Sequence, residues 1–294
     1  MSPTDLVRLS GLMARTQGAP TVAIALIDGP IALDHPDLLG TNIREVPGRI
    51  RGGCNLRDSV ACTHGTFVAG MLSARRGSAA PAICPGCRLL LCPIYGEAPN
   101  GNGGMPSASP AELADAIIAS VNAGAHIINL SSALIQPSPQ GQRKLEEALD
   151  HAARRGVLTV AAAGNQGTVG SSAITRHPWV IPVAACDMQG KPLAESNLGG
   201  SIGKRGLSAP GENVTSLGTN GKPQEFGGTS AAAPFVTGTI ALLWSEFPAA
   251  PAAQIKLAVT NSTSPRRTTI APPLLDAGAA YQSMAGAYTG SRAS

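Results

Sequence analysis

Apolar positions in this chain gather into short continuous runs, and glycine- and proline-marked turns separate the runs. Thr21 to Ile27 is β-branched and of strand length, and it stops at the turn signal Asp28-Gly29-Pro30. The same reasoning predicts strands over Arg88 to Pro93, His126 to Leu130 and Val157 to Ala162. Segments of helical length lie between them. One runs from Pro110 to Ala123, with Pro in its first turn and Gly124 past its end, and another from Gly141 to Arg155, closed by Gly156. His64 to about Ser73 and Phe235 to Trp244 are apolar enough to be buried helices, and Leu6, Leu9, Leu12 and Met13 recur at helical spacing near the start. Strand, helix, strand repetition predicts an α/β, three-layer fold with a mainly parallel central sheet and helices on both faces. Sheets of that kind place their sites at the carboxyl ends of the strands.

Four stretches bring chemistry to those ends. Gly227-Gly228-Thr229-Ser230-Ala231-Ala232-Ala233-Pro234 sets a serine among small residues at the start of an apolar run. A peptide backbone can approach closely there, and the first amides of the helix can bind an oxyanion. A serine so placed is also an ordinary helix cap, so the octapeptide alone does not decide its role. Cys62-Thr63-His64-Gly65-Thr66 places a histidine before glycine, where its ring is unobstructed, as a candidate base. Asp28 ends the first strand. Ala163-Gly164-Asn165 ends an apolar strand in a small-residue turn that exposes one side-chain amide, a ready oxyanion donor.

In the order Asp, His, Asn, Ser, these stretches resemble the subtilisin-like serine peptidases. His35-Pro36-Asp37-Leu38, Gly124 to Ser131 and Ala209-Pro210-Gly211 extend the resemblance over about Thr21 to Ala280. It implies a subtilisin-like fold with Asp28, His64 and Ser230 as catalytic triad, Asn165 in the oxyanion hole, and Leu130, Ser131, Ser132 and Gly228 as substrate-binding residues. Substrate backbone would pair as an added strand with Leu130 to Ser132, and with the glycine-rich stretch Asn100 to Met105. Within the family the chain is most similar to the protease domains of cyanobactin maturation enzymes, which trim ribosomally made precursor peptides. Asp28-Gly29-Pro30 with Leu33-Asp34-His35-Pro36, and Cys84-Pro85-Gly86-Cys87-Arg88 leading to Pro93-Ile94, carry that similarity. The chain departs from the pattern at Ile83-Cys84, where those enzymes have alanine, and at Ser131-Ser132-Ala133, where they carry paired glycines. The implied function is a serine endopeptidase processing a precursor peptide. A macrocyclase of the same fold would carry a helical insertion between Asp28 and His64, and that connection is short; an intact triad argues against a non-catalytic binding module.

With 3% aromatic and 14% charged residues, the core must come from Ala, Val, Ile and Leu. At 294 residues one large domain is expected, over 21–285, with residues 1–20 as a helical lead-in and 286–294 as a disordered tail. A net charge of +4 without a clustered basic stripe predicts no nucleic-acid partner, and no segment is long enough to span a membrane. Residues 1 to 20 lack an export signal, and 27 residues before Asp28 are too few for an inhibitory pro-domain, so a cytoplasmic enzyme is expected. No cofactor or metal is expected. Cys84 and Cys87 have no second ligand pair at zinc spacing, and the Arg75 to Pro81 loop beside Asp37 offers no carboxylate for calcium. His35, His126, His151 and His177 read as structural. A cytoplasmic setting predicts free thiols, whereas the resemblance implies Cys54 paired with Cys62 and Cys84 or Cys87 paired with Cys92; Cys186 reads as a core thiol.

Overall fold

The short apolar runs become the strands of one sheet. A computed structural model describes residues 1–48, 51–98, 108–131, 141–261 and 269–290. Its strands are β1 (Ala23–Asp28), β2 (Ile43–Glu45), β3 (Arg88–Pro93), β4 (Ile127–Leu130), β5 (Leu158–Ala162), β6 (Val180–Cys186) and β7 (Leu207–Pro210). They lie in the order β2-β3-β1-β4-β5-β6-β7, every pairing parallel. Successive side chains of a strand point to opposite faces, and β1 shows it. Ile24 and Leu26 pack with Leu89, Leu91, Ile127, Leu158 and Val160, while Ala23, Ala25 and Ile27 pack with Leu90, Cys92, Ile128 and Leu130. Both faces are therefore buried, which is why the strands read as continuous apolar runs.

Helices α4 (Pro110–Asn122) and α5 (Gln142–Arg154) cover the second of these faces; α3 (Val60–Ser73), α8 (Thr229–Glu246), α9 (Ala252–Asn261) and α10 (Ala277–Gly290) cover the first. α5 buries Leu145, Ala148, Leu149 and Ala152 along one stripe of an otherwise polar helix. α8 is buried on nearly every side from Thr229 to Trp244, so it forms the middle of the first layer. Each fully buried Phe, Ile or Leu on it contributes about 1.5–3 kcal/mol. Ser109 caps α4 by accepting from Glu112 N–H while Glu112 reaches back to Ser109 N–H, a capping box that sharpens the start expected from Pro110.

Three boundaries differ from expectation. α3 starts four residues before His64, because Ser59 accepts from Cys62 N–H at 3.1 Å and caps the helix there; His64 thus sits in the second turn. α8 starts at Thr229 and carries Pro234 inside its second turn, where the proline has no N–H to give the Ser230 carbonyl. α10 continues to Gly290, past the boundary drawn at 285, so the expected disordered tail is helical over 286–290, and 291–294 lie outside the described residues. The lead-in forms α1 (Pro3–Leu6) and α2 (Ser10–Arg15) and buries Val7, Leu9 and Leu12 in the first layer. Short helices α6 (Ala173–Arg176) and α7 (Gly200–Arg205) flank β6, and β8 (Val214–Leu217) pairs antiparallel with β9 (Pro223–Phe226). Among the described residues no helix is long and apolar enough to cross a membrane.

Candidate active site

Asp28 is the last residue of β1 and is fully buried. Its Oδ1 accepts from Gly29 N–H at 2.6 Å and from His64 Nδ1–H at 2.7 Å. Its other oxygen is buried without a hydrogen-bond partner among the described residues, so the ring is the counter-group to this carboxylate. The two motifs meet because neither glycine beside them has a side chain. A Cβ on Gly29 would collide with the carbonyl of Ala61, and one on Gly65 would strike the carbonyls of Pro30 and Gly29. The Asp28 turn and α3 therefore touch backbone to backbone. Burial of the His64 ring disfavours its charged form, but the Asp28 charge and hydrogen bond outweigh this and raise its pKa above the ordinary imidazole value. Phe226 of β9 packs against that ring, centroids 6.1 Å apart, and edge-on against Phe67 at 5.0 Å.

Ser230 is the second residue of α8 and is half-buried. Its hydroxyl donates to the Ser131 carbonyl at 2.6 Å. Ser131 follows β4 and is itself fixed from behind: Thr237 of α8 donates to Asn129 Oδ1 at 2.7 Å, and Asn129 Nδ2 donates to Ser131 Oγ at 2.6 Å. Asn165 follows β5. Its Oδ1 accepts from Thr229 N–H at 2.8 Å and Thr229 Oγ1 at 3.0 Å, which leaves the Nδ2 end of the amide as the outward donor. The Ser230 N–H is among the first amides of α8, which have no intrahelical acceptor and carry the positive end of the helix dipole. Gly228 has φ +84°, and a Cβ there would lie 2.8–2.9 Å from the Asn165 amide. Only glycine fits both conditions.

The residues singled out from sequence do not all reach the site. Asp28, Ser131 and Asn165 lie at or just past strand ends, His64 in the second turn of α3, and Gly228 and Ser230 at the start of α8, and they make the contacts above. Leu130 does not belong with them: its side chain is fully buried in the second core layer, and β4 pairs with β1 and β5 on both sides, so it offers no free edge to a substrate strand. Ser132 and the stretch Asn100 to Met105 lie outside the described residues. Asn197, which reads as an ordinary loop residue, proves to hold the Asn165 turn together. Its Oδ1 accepts from Gln166 N–H, Thr168 N–H and Thr168 Oγ1 at 3.0–3.1 Å, and its Nδ2 donates to Ala163 O at 3.2 Å and Gln166 Oε1 at 2.7 Å. Its own N–H donates to Gly164 O at 2.8 Å.

Cys54 and Cys62 form a disulfide, Cα atoms 5.7 Å apart, which overturns the expectation of free thiols there and ties the loop ahead of α3 to its first turn. The implied bond from Cys84 or Cys87 to Cys92 is absent, because Cys84 and Cys87 lie in the first core layer and Cys92 in the second, on opposite faces of the sheet. Glu97 holds the same loop by accepting from Asn55 and Leu56 N–H at 2.8 and 2.7 Å. Among the described residues, Cys54, Cys62 and Glu97 are the one group of such side chains close enough to grip a metal ion, and their two sulfurs are bonded to each other. The Asp37 carboxylate is paired with Arg75 at 3.0 Å. Three of the other four histidines make structural contacts: His35 Nδ1 accepts from Asp37 N–H, His126 Nδ1 accepts from Ala23 N–H and its ring packs edge-on against Trp244, and His177 pairs with Asp150.

The family model for the subtilase family matches residues 19–283. Thermostable alkaline protease of Halalkalibacterium halodurans is 33% identical over 247 residues, 82% of this chain and 62% of its own length, so this chain spans under two thirds of that relative. Subtilisin BL of Lederbergia lenta is 31% identical over 265 residues, covering 89% of this chain and 91% of its own. Among solved structures, the prenylagaramide maturation protease PagA superposes with a TM-score of 0.80 at 30% identity, covering 94% of this chain and 98% of its own.

Proposed function

The chain belongs to the subtilase family, and from that premise we propose that it is a serine endopeptidase in which Ser230 is the nucleophile, His64 the general base and Asp28 the group that orients His64. Asp28 holds the Nδ1–H tautomer, so the other ring nitrogen is the one that takes the Ser230 proton. Ser230 Oγ, released from the Ser131 carbonyl, attacks the scissile carbonyl; the oxyanion that forms is met by Asn165 Nδ2–H and Ser230 N–H. His64 then returns the proton to the leaving amine, and water resolves the acyl-enzyme. The observation that carries this reading is the buried His64 to Asp28 hydrogen bond of 2.7 Å at the carboxyl end of the same sheet from which Ser131 and Asn165 reach Ser230 and Thr229.

The substrate is a peptide, and likeness to a maturation protease supports a ribosomally made precursor as its natural form. Hydrolysis rather than cyclisation is favoured because, among the described residues, no helix lies between Asp28 and Val60 to shield an ester on Ser230 from water. A fluorophosphonate probe should add once, at Ser230, and Ser230→Ala should take up none and lose turnover by about 10⁴ to 10⁶. Cleavage in heavy-oxygen water should give linear fragments labelled at the new C-terminus. An adduct elsewhere, or mainly cyclic unlabelled product, contradicts the assignment.

A further inference from the structure

Cys84 and Cys87 flank a single tight turn, Cys84-Pro85-Gly86-Cys87, closed by a Cys87 N–H to Cys84 O hydrogen bond of 3.0 Å. Such turns bring their first and last Cα atoms within about 7 Å, inside the range a disulfide needs. Both thiols are free and buried at the two ends of this turn. The lead-in runs directly over them: Gly86 N–H donates to Gln17 O at 2.7 Å, and a Cβ on Gly18 would overlap the Cys87 sulfur. We propose that Cys84 and Cys87 are a redox-active dithiol that hydrogen peroxide, small enough to enter with water, converts into a disulfide within the turn.

The environment of the two sulfurs is unequal. The Cys84 thiol, the Ser245 hydroxyl (3.8 Å) and the Ala19 amide favour a Cys87 thiolate and lower its pKa, whereas the neighbouring Cys87 and burial raise that of Cys84 well above the ordinary thiol value. Cys87, with the Ser245 hydroxyl 3.8 Å from its sulfur, is the attacking sulfur. Its thiolate takes one peroxide oxygen, the O–O bond breaks, and hydroxide leaves as water after picking up a proton. The Cys84 sulfur then attacks the Cys87 sulfenic acid, the S–O bond breaks, and a second water departs with the Cys84 proton. Two thiols lose two electrons and one peroxide becomes two waters. Cys186 has no such partner, and burial with the nearby Asp187 charge pushes its thiol up to about 12.

The two sulfurs share one tryptic peptide, Gly77 to Arg88, with no other cysteine. Native protein treated with peroxide, then quenched, denatured, alkylated and mapped, should yield this peptide two hydrogens lighter and unalkylated, and thiol reductant should reverse the change. Peptidase rate should not change, since the turn precedes β3 at the amino end of the sheet and the site lies at the other. In Cys84→Ser the reaction should stop at a sulfenic acid trapped by dimedone on Cys87, and in Cys87→Ser trapping on Cys84 should be slower by at least about tenfold. Recovery of both cysteines alkylated while Cys92 or Cys186 oxidises overturns the proposal, as does direct passage to sulfinic acid without a disulfide. The wild-type map decides the matter even if neither variant folds.

Discussion

Asn197→Ala tests whether the oxyanion donor is held from behind. The side chain makes five hydrogen bonds to residues 163–168, the turn that carries Asn165. A typical protein hydrogen bond contributes about 0.5–1.5 kcal/mol net, but Asn197 is half-exposed and water can replace part of the set. A loss of about 1–2 kcal/mol of transition-state stabilisation is therefore expected, or about 5- to 30-fold in kcat. An upper bound comes from the group through which it acts: deleting the oxyanion amide of a subtilisin costs about 2.7–4 kcal/mol, and Asn197→Ala cannot exceed that by this route. KM should hardly move, because Asn165 bonds the oxyanion more strongly than the bound carbonyl. The decisive assay is a double-mutant cycle on a fluorogenic peptide. In an Asn165→Ala background, Asn197→Ala should cost almost nothing further, a coupling close to the whole single effect. Additive losses in kcat, or a loss confined to KM, would show that Asn197 merely stabilises the loop.

Asp28→Asn should lower the plateau of kcat/KM by about 10⁴ and move its acid limb to lower pH. Neutral His64 is the active base, so wild-type activity rises as pH climbs through the raised His64 pKa, and removing the Asp28 charge removes the main cause of the rise; an unmoved limb would mean another group titrates. By the same linkage, the stability that His64 draws from Asp28 is full below the unfolded imidazole pKa and disappears as pH rises through the folded one, and this pH dependence should vanish from the denaturation midpoint of Asp28→Asn. Replacing Cys54 and Cys62 by Ala should cost about 2–3 kcal/mol, from the loop entropy of their 8-residue separation, read as a lower Tm; an unchanged Tm would refute that bracing role. Gly228→Ala should reduce kcat by about 10- to 1,000-fold, bounded by the whole contribution of the Asn165 amide that the new Cβ displaces, and near-normal kcat would mean the turn yields without moving Asn165.

What the sequence made legible was whatever depends on a short stretch of chain. β3 lies where the Arg88 to Pro93 run places it, because an apolar run bounded by turns can be little else, and Pro110 with Gly124 brackets α4 to within one residue. The Asp28, Asn165 and Ser230 motifs are each local and each ends or begins an element, whereas His64 lies a turn inside α3. Where the expectation failed, the cause was a partner distant in sequence. Leu130 ends its strand as an edge residue would, yet β1 and β5 arrive from opposite directions along the chain and leave it no free side. Asn197 lies 32 residues past Asn165, and nothing beside it announces that six of its hydrogen bonds close on the Ala163 to Thr168 turn. The cysteines show the same limit from the other side: Cys87 and Cys92 are neighbours in sequence, but the strand between them turns alternate side chains to opposite faces, so proximity along the chain guarantees their separation. Cys54 and Cys62 can pair because a loop, with no such alternation, joins them, and the cap at Ser59 that starts α3 early is what brings Cys62 into the helix facing back toward that loop.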